Sequence, residues 1–208
     1  MTRKFSRFQR IALGIAAVGA AAMLLLIGWT FVSISDSNPP HTSEKDTAEA
    51  AQRLLKLPPL EDAEAELRAV VQQIGAAATE LVPGMKWEWN RDPMRSDCPA
   101  PYDQTNGQIS YLRHYYSDTP IPDDVWPQFL DRVRTIAATV GATAPETMQN
   151  QSGTASSPGN HDVWFSNPSS GTTIKVGTQR ASVISATVGC HLPKDKFSSP
   201  TPTPKPTS

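Results

Sequence analysis

The chain has 208 residues, of which 19 are proline and 12 glycine, with 19% charged and 7% aromatic side chains. That length holds one ordinary domain plus appendages and excludes two large ones. The formal net charge is −1, but Arg3, Lys4, Arg7 and Arg10 precede any acid, so the rest of the chain nets −5; a mildly acidic body excludes a nucleic-acid binder, which needs clustered Lys and Arg.

Residues 1–10 form a basic end, and residues 11–32 (IALGIAAVGAAAMLLLIGWTFV) carry no charge. As a helix this run spans roughly 33 Å, matching a hydrocarbon core of about 30 Å. Bases on its N-terminal side keep that end in the cytoplasm and export the rest, and Trp29 suits the outer interface. The run exceeds the apolar stretch of about 7–15 residues in a cleaved signal peptide. An uncleaved signal-anchor is therefore expected, with cleavage after Ser33-Ile34-Ser35 as the competing reading. The only cysteines are Cys98 and Cys190, so no lipidation site follows the run.

Residues 33–59 read as a linker, in which Thr47 to Leu57 forms at most a marginal short helix. The globular domain is expected at 60–193. A helix from Leu60 to Leu81 has an acidic first turn and an apolar stripe of Leu67, Val70, Val71, Ile74, Ala77, Ala78 and Leu81. A strand at Lys86 to Asn90 puts Trp87 and Trp89 on one face, and these two are expected to fill the core with Trp126. Gln108 to Tyr116 reads as a strand with large side chains on both faces. A second helix starts at Asp123 or Pro127, with the paired acids as caps, and ends at Val140 before Gly141. Thr143 to Asn160 reads as a long polar loop, interrupted at most by a short strand near Glu146 to Gln149. Asp162 to Ser166 and Thr172 to Val176 form a hairpin, and Ala181 to Cys190, apolar on both faces, is a central strand. Residues 194–208 (KDKFSSPTPTPKPTS) cannot bury enough surface to fold. The fold class is α+β: a two-layer sandwich of an antiparallel sheet with two helices on one face, preceded by one transmembrane helix.

Two cysteines in an exported domain read as one disulfide, Cys98–Cys190. His41, His114, His161 and His191 show no metal-ligand spacing, so no metal is expected. No G-x-S-x-G motif or phosphate-binding Gly loop is present, and no cofactor is implied. Asn150-Gln-Ser152 matches a glycosylation sequon, informative only in a eukaryotic secretory pathway. Trp164 is out of phase with Val163 and Phe165. If those two face the helices, Trp164 faces away with Lys175 and with one set from Leu112, His114 and Tyr116. The resulting binding surface is Trp164, Lys175, His114 and Tyr116, unless the 143–160 loop folds over it.

Trp87-x-Trp89, Cys98 with Pro101-Tyr102, and Ile121-Pro122-Asp123 leading to Trp126-Pro127 form one group of positions. Gly159-Asn160-His161-Asp162-Val163 and Val188-Gly189-Cys190 form another. Together they resemble the actinobacterial, mycobacterial LppA-like lipoproteins over about residues 60–193. The resemblance implies an exported domain on the outer membrane face, attached in that family through a lipidated N-terminal cysteine that this chain lacks. It brings no reaction with it. The expected protein is a single-pass, non-catalytic envelope module whose partner is a cell-wall component, a lipid or another exported protein. The alternative is an envelope hydrolase using His161 with Asp162, or His114.

Overall fold

A computed structural model describes residues 42–154 and 159–197. The apolar run 11–32, the start of the linker and the tail from 198 lie outside the described residues. Among the described residues no helix is long and apolar enough to cross a membrane.

The chain runs α1 (Glu44–Leu54), α2 (Leu60–Leu81), β1 (Glu88–Trp89), β2 (Met94–Asp97), β3 (Gln108–Ser117), α3 (Trp126–Ala138), β4 (Ala144–Gln151), β5 (Asn160–Ser166), β6 (Thr173–Thr178) and β7 (Ser182–His191). A 3₁₀ turn follows at Lys194–Lys196. The strands make one antiparallel sheet in the order β1-β3-β7-β6-β5-β4, with β2 sharing the β1 edge of β3. This is the α+β class read from the sequence, with three helices instead of two.

α2 forms because its apolar residues recur at helical spacing. Leu67, Val71, Ile74 and Ala78 are buried and lie against the sheet with Phe129 and Val133 of α3. Pro127 sits in the first turn of α3, and Gly141, at φ 70°, ends it through its N–H to Ala138 O. The sheet answers with Val163, Phe165, Ile174, Val176, Ile184 and Val188, all buried. Each such side chain contributes about 1.5–3 kcal/mol on burial. β7 is central, as its two-sided apolar pattern predicts.

Five expectations need correction. The linker reading ends too late: Ser43 caps α1 by accepting the Asp46 N–H at 3.2 Å, and Ala50 and Leu54 are fully buried. Leu54 lies in a small cluster with Cys98, Cys190 and Leu192, so α1 is docked, not marginal. The expected domain boundary at 193 is likewise too early, because Lys194 pairs with Asp62 at 2.6 Å and Phe197 packs on the disulfide cluster. The 143–160 loop is largely β4, paired with β5 from Ala144 to Gln151. Trp126 is buried, but Trp87 and Trp89 are only partly so. Finally, Asp123 does not cap α3, whose N-terminus has no side-chain cap.

Candidate functional site

The helices α2 and α3 cover one face of the sheet, and the pleat sends the alternate residues of each strand to the other. On β5 and β6 the alternation is strict: Val163, Phe165, Ile174 and Val176 are buried, while Trp164 and Lys175 are half-exposed. Trp164 and Lys175 are direct cross-strand partners. The Lys175 ammonium sits 3.5 Å from the centre of the Trp164 ring, a cation–π contact. The indole is held by its Nε1–H, which donates to Asp162 Oδ1 at 2.9 Å from the same face. β4 extends the sheet edge beside Trp164, with Glu146 as its direct neighbour, and does not fold over it.

The other two predicted surface residues lie on β3. A bulge between Leu112 and Tyr115 resets the alternation there. Leu112 pairs with Ala186 on the helix side and is buried, whereas Tyr116 pairs with Val183 on the open side. The Tyr116 hydroxyl donates to Glu88, and that bond is the main cause raising its pKa. His114 falls within the bulge and is exposed. With β7 and β6 between β3 and β5, and two residues of offset along the strand, Tyr116 stands roughly 16 Å from Trp164 at the usual strand spacings. The structure thus brings Trp164 and Lys175 together and leaves His114 and Tyr116 as a separate patch of the same open side.

The structure does not bring His161 and Asp162 together: neighbours on a strand point to opposite faces, and His161 turns inward, 4% exposed. Its Nε2 meets Asp123 Oδ1 at 3.1 Å and its Nδ1 meets Asn150 Oδ1 at 2.8 Å. The ring stacks on Trp126, with centroids 4.9 Å apart and planes 16° from parallel. Asp123 also accepts the Gly153 N–H at Oδ2, 2.5 Å away. Gly159 leaves space for this carboxylate, since a Cβ there would lie 1.9 Å from Oδ1. The Gly153 N–H first, and His161 second, hold the Asp123 carboxyl below its ordinary pKa. Both imidazole nitrogens are engaged, so the ring has no free nitrogen with which to take a proton from a nucleophile. Chemically the cluster is a latch joining the head of α3 to the β4–β5 hairpin. Sequence reasoning missed it because its members are distant in the chain; the Gly159-His161 spacing was visible, its purpose was not.

The predicted disulfide is present: Cys98 and Cys190 are bonded, with Cα atoms 5.8 Å apart. It lies under α1, against Leu54 and Gly107. A Cβ on Gly107 would stand 2.6 Å from Cys190 Sγ and 2.8 Å from Leu54 Cδ1. Among the described residues, no group of three or more His, Cys, Asp or Glu side chains is placed to hold a metal ion.

No curated protein matches the sequence. Among solved structures, the lipoprotein LppA from Mycobacterium tuberculosis superposes with a TM-score of 0.63 at 16% identity, over 76% of this chain and 92% of that one. That likeness concerns the fold alone. A DUF4853 family protein from Actinomyces odontolyticus aligns at a TM-score of 0.34 and 10% identity, over 60% of this chain and 67% of that one, too low to carry an argument. The LppA family, described as lipoprotein confined to pathogenic Mycobacterium, matches residues 36–194, which include α1, the Asp123–His161 latch and both cysteines. The chain belongs to the LppA family of lipoproteins.

Proposed function

We propose that the protein is a membrane-tethered, extracytoplasmic binding module of the cell envelope, without catalytic chemistry of its own. Membership of a lipoprotein family and a domain-closing disulfide both support an oxidising space outside the cytoplasm. The tether in this reading is the uncharged run 11–32, crossing the bilayer once with the basic end inside. A thioether-linked lipid has no available residue among these 208, because the two cysteines are bonded to each other.

The observation that carries the binding reading is the open sheet face at Trp164 and Lys175. An indole pinned by Asp162 and covered by an ammonium keeps its orientation without a partner, which lowers the entropic cost of binding one. The partner in this reading is another exported protein or a wall polymer. The hydrolase reading has no comparable support, since His161 is engaged at both nitrogens and its chain neighbour Asp162 faces the other way.

The test is in-cell photocrosslinking with a photoreactive residue replacing Lys175 in the full chain. A discrete adduct absent from the same replacement at exposed Thr135 of α3 is the expected result. Identical adduct patterns from the two positions refute the open face as the binding surface. Protease added to spheroplasts should digest the domain; protection of it while known surface proteins are cut refutes the topology.

A further inference from the structure

The Trp87-x-Trp89 motif is partly buried, packed against the edge of the core on the helix side and away from the open sheet face. Between α2 and the β1 edge lies an open groove of about 470 Å³. Trp87 and Tyr115 line its sheet side, and Gln72, Ala76, Thr79 and Glu80 its helix side.

The aromatic wall is built to stay in place. Tyr115 stacks with Trp87 at 5.4 Å and 22°, and lies 4.8 Å from Trp89, over which the Arg68 guanidinium sits at 4.3 Å. Gly75 of α2 allows this: a Cβ there would stand 2.8 Å from Tyr115 Cε1 and 3.4 Å from the Trp87 ring. The Trp87 Nε1–H donates to Thr79 Oγ1 at 3.2 Å, and that hydroxyl donates to Gly75 O at 3.0 Å. So the indole angle is set before any ligand arrives. Gln72, exposed on α2, and Tyr115 both line the groove and add an amide and a phenol to it.

These features select the ligand class. An anion needs a free base, but Arg132 is paired with Glu80 at 2.5 Å and Arg68 is placed over Trp89. A lipid chain needs an enclosed apolar channel, and this groove is open and edged by polar groups. A fixed aromatic ring beside neutral and acidic hydrogen-bonding groups suits a molecule with one apolar C–H face and a hydroxyl-rich rim. A pyranose has that construction: its C–H face lies on the ring and its hydroxyls reach the amide, phenol and carboxylate. We infer that the Trp87–Tyr115 groove is a saccharide-binding cleft, with Trp87 as the stacking platform and Gln72, Tyr115 and Glu80 as hydroxyl partners.

The test follows the indole N–H resonance of Trp87 in the full-length chain in detergent. Four probes are titrated separately: an N-acetylglucosamine trisaccharide, a mannose trisaccharide, a proline-rich decapeptide and a short-chain phospholipid below its micelle concentration. At least one trisaccharide should shift the resonance with a low-millimolar dissociation constant or better. Trp164 should stay unmoved, which separates this result from the fate of the open sheet face. Gln72→Ala, on the α2 surface, should weaken binding roughly threefold to tenfold, and Trp87→Ala should abolish the heat of trisaccharide binding measured by calorimetry. If neither trisaccharide moves the resonance, or only the peptide or lipid does, the cleft is not a saccharide site. Unchanged affinity in Gln72→Ala, with the fold intact, also overturns the assignment.

Discussion

Asp123 and His161, 38 residues apart in sequence, meet with Oδ1 and Nε2 3.1 Å from each other beneath the β4–β5 hairpin. The contact joins the head of α3 to a hairpin that Asn150 grips from the other side of the same ring. A polar group this deep inside is stable only while its partners hold it, so the cluster is a structural commitment at the place where sequence reading looks for catalysis.

His161→Ala should therefore destabilise the domain by about 2–4 kcal/mol, combining lost packing on Trp126 with the loss of the hydrogen bonds to Asn150 and Asp123. Urea unfolding followed by Trp fluorescence measures it. Asp123→Asn, which keeps an oxygen in place, should cost less. A His161→Ala protein within about 0.5 kcal/mol of the parent would remove the latch as a source of stability.

Acid should unfold the domain through a few named carboxylates. Burial acts to raise Glu61 and Glu64, but is outweighed by the Lys194 N–H for Glu61 and by the Arg95 guanidinium for both. Both end below their ordinary value of 4.5, and Asp123 ends below its own of 3.8. With folded values depressed, the unfolded chain binds more protons in acid. The stabilisation is thus full above the ordinary values and is lost as pH falls through the lower folded ones. The urea midpoint should be flat between roughly pH 7 and 5 and fall below that. Arg95→Ala should make the fall shallower; an acid limb identical to the parent's would assign it to other groups.

Reduction should weaken the domain strongly. The bridge closes a sequence separation of 92 residues, worth about 4–5 kcal/mol in the chain-entropy account. The double Cys→Ser variant should unfold at a correspondingly lower urea concentration, with α1 released first because Leu54 rests on the sulfurs. Hydrogen exchange across residues 44–54 reports that release. Equal protection of α1 in the variant and the parent would show that its docking does not depend on the bridge.

Gly189→Ala should be more damaging than Gly84→Ala, although Gly84 has φ 95°. A Cβ at residue 189 would lie 1.6 Å from the Ser170 carbonyl oxygen, a backbone atom of the β5–β6 turn, whereas none meets an atom within 4 Å at Gly84. A rotamer change cannot relieve a backbone collision, so we expect a loss of about 3 kcal/mol or more. Gly84→Ala should cost about 1 kcal/mol from backbone strain. Thermal melts of the two variants give the order.

What could be read in the sequence was whatever buries one face. α2, α3 and β5 to β7 announced themselves because helical or two-residue spacing of apolar side chains is imposed by a core. β2 (MRSD) and most of β4 (APETMQNQ) did not, and every residue of both is exposed. An edge strand that buries neither face leaves no apolar alternation to read.

The open side shows the same division. Trp164 and Lys175 were paired correctly because β5 and β6 alternate without interruption, but Tyr116 could not be separated from Leu112, since the β3 bulge that puts them on opposite sides is a matter of pairing with β7.

The sequence by itself determined the exported class, the α+β layering and the disulfide, all of which follow from composition, local periodicity and the count of two cysteines. Tertiary structure alone decided that α1 is docked, that His161 answers to Asp123 and not to Asp162, and that Trp87 and Tyr115 wall a groove. Each of those depends on which distant segments touch, and contact between segments far apart in the chain leaves no periodic mark on either one.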